Sequence, residues 1–254
     1  EYMTRSLSEI SWINIDHILA LKFGGKKSAV ENVHPWFEDW DLILKGALDP
    51  LPARQTEQNK KFGTFIDHFL KLAFSKLKTL YIHNHSFDFL ENELYSDLLE
   101  QMNDDIYSIC HKTLVLELYV YREQGLLKGS TPEERYDYFE HEILTDKKFL
   151  SSFGSEYQSL ISLLIHKVNS SVSFIRDIVE HLENDWPVLI KTFPRIGRLR
   201  KIHLGKGDTH DNGKSVSILE FEGGQSLVYK PRPLDADQQY QKLLSWLNAQ
   251  ENNI

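Results

Sequence analysis

A single cysteine, Cys110, leaves this chain without a disulfide framework and unable to build a thiolate zinc site of its own. Basic residues are in deficit: 29 Lys and Arg face 37 Asp and Glu, and the formal net charge of −8 argues against a surface for nucleic acid or anionic membrane. No apolar run reaches the length of a membrane span, and no signal peptide is visible. Repeats and low-complexity tracts are absent. What is present, at 254 residues and 41% hydrophobic content, is enough chain for one large or two modest globular domains.

The first three quarters read as helix. Phe62, Phe65, Ile66, Phe69, Ala73, Leu77 and Leu80 recur at steps of three and four, which puts an apolar stripe on one helical face. A second helical stretch is expected from about Phe89 to Leu127, with a bend at Asn103-Asp104-Asp105 and an end marked by Gly125 and Gly129. Thr131-Pro132-Glu133-Glu134 has the form of a capping box with proline at the first helical position, so a helix is expected to start there. From Ser155 to about Glu183 a further helix is expected, burying Leu160, Leu163, Leu164, Val168, Phe174, Ile175, Val179 and Leu182 and broken by Asp185-Trp186-Pro187. Three features have plain readings. His83-Asn84-His85 ends an amphipathic helix, where histidine suits the dipole; Trp36, Phe37 and Trp40 have core spacing; Cys110 is a small buried apolar residue.

Near Phe193-Pro194 the pattern changes, and the expected division is a helical region over 1–193 followed by a small sheet lobe over 194–254. Gly205, Gly207 and Gly213 punctuate a loop. Ser215 to Phe221 reads as a strand, Glu222-Gly223-Gly224 as a turn, and Ser226 to Lys230 as a second strand closed by Pro231. On that second strand Leu227 and Tyr229 face one way and Val228 and Lys230 the other, and a lysine so placed calls for an anionic partner. A glycine loop on a hairpin followed by a strand-borne lysine is suited to phosphate chemistry, with backbone N–H groups and an ammonium neutralising the anion. The run from Gly207 to Ser215 is not a Walker loop. It is one residue too long between its glycine and the Gly-Lys pair, and Lys214 and Ser215 open a strand where a Walker loop opens a helix. A helix is expected from Asp235 to Asn248 with Tyr240, Leu243, Leu244 and Leu247 as its apolar face.

The segments Gly207-Asp208-Thr209-His210, Gly213-Lys214-Ser215-Val216 and Val228-Tyr229-Lys230-Pro231-Arg232 resemble the dehydratase domain of class II lanthipeptide synthetases, the LanM family. The match runs from about Ile202 to Asn248. The resemblance implies a bacterial, cytoplasmic enzyme that uses ATP to phosphorylate Ser and Thr of a precursor peptide and then eliminates the phosphate to give dehydroamino acids. It implies a lipid-kinase-like N-lobe, so the fold class expected is α+β, a mostly helical region followed by a small antiparallel sheet. By the same resemblance Lys230 contacts ATP beside the loop of Gly205, Gly207 and Gly213, while Asp208 and His210 act in turnover of the phosphorylated intermediate.

Elimination needs a base for the α-proton and an acid or cation for the departing phosphate, and an Asp/His pair two residues apart can supply both. Their plain readings are an Asx-turn residue and a solvent-facing turn residue. No metal ligands are expected within this chain: Mg²⁺ ligands, the catalytic loop, the rest of the dehydratase and a zinc cyclase domain are expected beyond it, so that the chain alone is expected to be inactive. A kinase-type helix would offer the lysine a glutamate, and here Asp235, Asp237 or a residue elsewhere must stand in. Two other readings are a noncatalytic helical adaptor that binds peptide and a protein or lipid kinase lobe without elimination activity.

Overall fold

In the computed structural model, residues 35–52, 61–80, 91–208 and 213–251 are described. Seven α-helices and three strands follow in order among them: α1 Pro35–Lys45, α2 Gly63–Leu80, α3 Glu91–Glu123, α4 Pro132–Tyr138, a π-helical turn Phe139–Ile143, α5 Lys147–Glu156, α6 Gln158–Thr192, β1 Leu199–His203, β2 Ser217–Phe221, β3 Ser226–Tyr229 and α7 Asp235–Glu251. The fold is α+β, with the small antiparallel sheet on the C-terminal side. From Pro35 on, the chain clusters as one unit.

The period of three and four over α2 does bury one face: Phe65, Ile66, Phe69, Ala73 and Leu77 are buried. Around them Phe139, Phe149 and Phe153 meet edge to face or tilted, as ring quadrupoles prefer, with Phe65 and Phe153 centroids 5.2 Å apart. The N-terminus of α2 has no Ser, Thr, Asp or Asn of its own to cap it. The buried Glu140 supplies that function from the π-helical turn: its carboxylate accepts from the backbone N–H of Phe62 and of Thr64, both at 2.8 Å, and from the Tyr136 hydroxyl at 2.7 Å. Burial and the Glu140 carboxylate together push the Tyr136 phenol well above its ordinary ionisation range.

Two helices pass through a bend or break that their sequence punctuation predicts. α3 passes through Asn103-Asp104-Asp105 without interruption, and Asn103 itself is buried. α6 continues through Pro187 to Thr192. A proline inside a helix forfeits one backbone bond, but Trp186 stacks on Phe221 with centroids 6.3 Å apart, and Leu189 and Phe193 pack on the core, so tertiary contact carries the helix past the break. Leu163, expected in the buried face of α6, is exposed; its neighbours Leu164, Val168, Phe174, Ile175, Val179 and Leu182 are buried. The capping box is as read: Thr131 Oγ1 accepts from the Glu134 N–H at 3.1 Å, and Glu134 reaches back to the Thr131 N–H. Trp40 is buried and Phe37 exposed, whereas His83-Asn84-His85 lies outside the described residues.

The sheet has the order β1-β2-β3, with both pairings antiparallel. β1 carries no strand signal that the glycine-and-hairpin reading used. A bulge between Leu199 and Lys201 lets Leu199 and Ile202, three apart, both turn inward, which breaks the two-residue alternation by which a strand is recognised. β2 is central and buries Ser217, Leu219 and Phe221. At the far end of the β2–β3 hairpin Gly223 passes so close to the preceding loop that a Cβ would sit 1.8 Å from the Arg195 carbonyl oxygen. Its N–H donates to Ile196 O at 2.9 Å. The Arg198 guanidinium grips Glu222 with two bonds of 3.0 Å and holds that carboxyl below its usual range.

Candidate functional site

The glycine loop joins β1 to β2, and β3 ends where β2 begins, because Ser217 pairs with Tyr229. The loop and Lys230 therefore emerge at the same end of the sheet. Continuing the β2–β3 register by one residue sets Lys230 opposite Val216, against which Gly207 lies: a Cβ on Gly207 would meet Val216 Cγ2 at 3.5 Å. Antiparallel topology alone thus gathers Gly205, Gly207, Asp208, Gly213 and Lys230 at one sheet end. His210 falls outside the described residues.

Local bonds fix both ends of the loop. Gly205 adopts φ +70° and Gly213 φ +93°, a region open to glycine at no steric cost, and among the described residues nothing lies within 4 Å of where their Cβ atoms would be. The Gly205 N–H donates to the buried Ser215 Oγ at 2.8 Å, and the Lys206 N–H to Val216 O at 2.9 Å. Ser215 was expected in the strand; it closes the loop instead, and β2 starts at Ser217. On the other side Gln101 of α3 reads the open edge of β1, its amide donating to Ile202 O at 2.9 Å and accepting from the Leu204 N–H at 2.8 Å. This is a side chain completing a strand ladder. Asp208 is exposed on the loop.

Lys230 is exposed and stands one residue beyond the β3 ladder, at variance with a lysine carried inside the strand. Its face is as expected, with Val228 beside it on the exposed side and Leu227 and Tyr229 turned inward. Of the carboxylates that could have answered it, the structure selects Asp237 in the first turn of α7: Asp237 Oδ2 lies 3.5 Å from Lys230 Nζ and 3.4 Å from Arg232 Nη2. One carboxylate is thus shared between two cations. α7 runs three residues beyond Asn248, to Glu251, and its expected apolar face stays largely open: Tyr240, Leu243 and Leu247 are exposed, as is Trp246. The helical spacing there is real, but amphipathicity says only that a face is apolar and not that this chain covers it.

Two further residues of α6, Asp177 and His181, belong to this end of the sheet and carry no motif in the sequence. Asp177 Oδ2 lies 2.6 Å from Lys214 Nζ. His181 Nδ1 lies 2.7 Å from the Tyr229 hydroxyl, and Phe174 packs on the Tyr229 ring at 6.0 Å. Burial, with Asp177 nearby, pushes the Tyr229 phenol above its ordinary value, so it keeps its proton near neutrality. Their sequence signal was the helical step from Phe174 to Asp177 to His181. It was outweighed by the apolar stripe running beside it.

Cys110 is fully buried, and burial pushes its thiol up to about 12, as fits an apolar packing residue. Among the described residues no group of three or more His, Cys, Asp or Glu is placed to hold a metal ion, and no helix is long and apolar enough to cross a membrane.

Residues 157–254, which contain α6, the sheet and α7, match the family described as "Domain of unknown function (DUF4135)". Over 166 residues, 64% of its length, the chain is 31% identical to the lacticin 481/lactococcin biosynthesis protein LcnDR2 of Lactococcus lactis subsp. lactis. It spans 17% of that relative's length. The chain is LanM-like, resembling a portion of a class II lanthipeptide synthetase.

Proposed function

We propose that this chain forms part of an ATP-dependent lanthipeptide dehydratase, a kinase-like phosphotransferase and lyase that acts on a precursor peptide in the bacterial cytoplasm. The observation that carries the reading is the convergence, at one end of the sheet, of an open glycine loop and an exposed lysine paired with Asp237. The similarity to a protein of lacticin 481 biosynthesis supports the pathway.

The residues present fit a polyphosphate. Gly205 and Gly213 leave space above the loop backbone that side chains would fill, and Lys230 and Arg232 supply charge beside it. Bound ATP supplies the phosphoryl group. Lys230 offsets negative charge on the transferring phosphate, and Asp237 limits where the lysine and arginine can point. Mg²⁺ is assigned to residues of the protein other than those described. In the second step a base removes the α-proton of the phosphorylated residue, the Cα–Cβ double bond forms, and the Cβ–O bond breaks with its electron pair leaving on phosphate. Asp208 and His210 are the groups we assign to that proton transfer and to the leaving group. The remaining dehydratase and a zinc cyclase domain are the partners this reading requires.

The test is Lys230→Ala in the full-length enzyme. Phosphorylation of the precursor peptide is expected to fall by roughly 10²- to 10³-fold, the usual loss for one electrostatic contact to a developing charge. Near-normal phosphorylation, read by mass spectrometry of the intact peptide, would sink the assignment.

A further inference from the structure

The residue after the glycine loop and the residue before Lys230 are both tied to one helix. Lys214 follows Gly213 at the end of the glycine loop and pairs with Asp177 at 2.6 Å. Tyr229 precedes Lys230 at the end of β3 and meets His181 at 2.7 Å. Asp177 and His181 stand four apart on α6, one above the other on the same helical face. The loop and the lysine strand have no ladder bond to each other, since β2 lies between β1 and β3. Their relative position is therefore set by β2 on one side and by α6 on the other.

α6 is suited to that task. Its first half is anchored in the helical core through the buried Ile161, Leu164, Ile165 and Val168, and its second half lies along the sheet through Phe174 and Trp186. The Lys214–Asp177 pair is about one-third exposed on both sides, which is more sheltered than a typical surface pair. Tyr229 adds a second tether with little freedom, because its ring is held between Phe174 and His181.

We propose that Asp177 and His181 are positioning residues that hold the glycine loop and Lys230 at a fixed separation on α6. The inference deepens the proposed nucleotide reading of the same sheet end and rests on it for its kinetic consequence, though its structural consequence stands alone. Neither residue touches the reacting atoms. Asp177 acts through Lys214 and the Gly213 turn; His181 acts through Tyr229 and the strand end that carries Lys230.

The experiment uses the full-length protein with Asp177→Asn, Lys214→Met, the double variant, and the conservative Asp177→Glu. Amide exchange is read first, because it needs no nucleotide. Exchange at Gly205 to Asp208 and at Gly213 to Val216 is expected to rise about tenfold in either single variant, with α2 and the first half of α6 unchanged. The KM for ATP is expected to rise about five- to tenfold with kcat nearly constant, Asp177→Glu recovering most of it and the double variant no worse than either single one. Tyr229→Phe and His181→Ala should act in the same direction on the strand end. Unchanged exchange and KM in Asp177→Asn and Lys214→Met would overturn the proposal, as would an exchange rise spread over the helical core. Lys230→Ala, measured in parallel, separates the two ideas. If it leaves phosphorylation intact, the nucleotide reading fails while the exchange data still decide the tether. If it abolishes phosphorylation and Asp177→Asn changes neither quantity, only the tether fails.

Discussion

The helical core and the loop end of the sheet are built on opposite principles. In the core, aromatic rings interlock, and the buried Glu140 carboxylate is satisfied internally by two backbone N–H groups and a phenol. At the sheet end the side chains are exposed and charged, the loop backbone is open, and one carboxylate is divided between two cations. The first arrangement stores stability, and the second leaves its charged groups open to solvent. A substitution in one region should therefore register in a measurement to which the other is nearly silent.

The largest effect should come from Phe69→Ala. Removing a ring that is fully buried and tilted 5.4 Å from Phe65 leaves a cavity and is expected to cost about 3 to 5 kcal/mol in chemical denaturation. Lys230→Ala, by contrast, should shift stability by less than about 0.5 kcal/mol while removing phosphorylation, because its ion pair is largely solvated. A Lys230 variant that unfolds would break the comparison.

Within the sheet end the comparison sharpens between the two proposed steps. Asp208→Ala and His210→Ala are expected to slow elimination more than phosphorylation, so that phosphopeptide accumulates in a time course of intact precursor peptide. Equal loss of both steps would instead assign the loop to ATP positioning. Asp208→Asn discriminates further: an Asx-turn residue would tolerate the amide and leave both steps nearly intact.

A smaller effect should follow pH. Burial raises the Cys110 thiol from 9.0 to about 12, so the folded state holds a proton that the unfolded state releases first. The stability contributed is complete below pH 9 and is lost as pH rises from 9 towards 12. Tyr136 and Tyr157, both pushed up by burial with Glu140 and Glu117 as hydrogen-bond partners, add to the same alkaline loss above pH 10. Cys110→Ala should flatten the lower part of that decline, measured as denaturation midpoint against pH. A decline of unchanged slope would remove Cys110 from the account. The smallest effect is expected for Trp246→Ala on the open face of α7, within about 0.5 kcal/mol in this chain despite the size of the side chain.

Local chemistry made several elements legible. The Thr131 capping box, the hairpin turn at Glu222-Gly223-Gly224, the apolar stripe of α2 and the opposed faces of Val228 and Tyr229 each depend on neighbours in sequence, and each is as read. The elements that were not legible depended on distant partners. Pro187 reads as a helix stop until Trp186 finds Phe221, and β1 loses its alternation to a bulge that only pairing with β2 explains.

The candidate site divides along the same line. Sequence by itself determined which groups are the candidates: the glycine loop, Asp208, His210 and Lys230 are chain neighbours within the 157–254 stretch, and their types and order are what the LanM resemblance rests on. Only tertiary structure decided which carboxylate answers the lysine and what holds the loop. Asp235 and Asp237 are equivalent to a reader of sequence, and helical geometry points Asp237 at Lys230 and Arg232. Gln101, Asp177 and His181 lie far from the motif in sequence and reach it because α3 and α6 pack on the sheet. A local spacing can specify a turn or a face, but a contact across tens of residues exists only once the core has fixed where its helices stand.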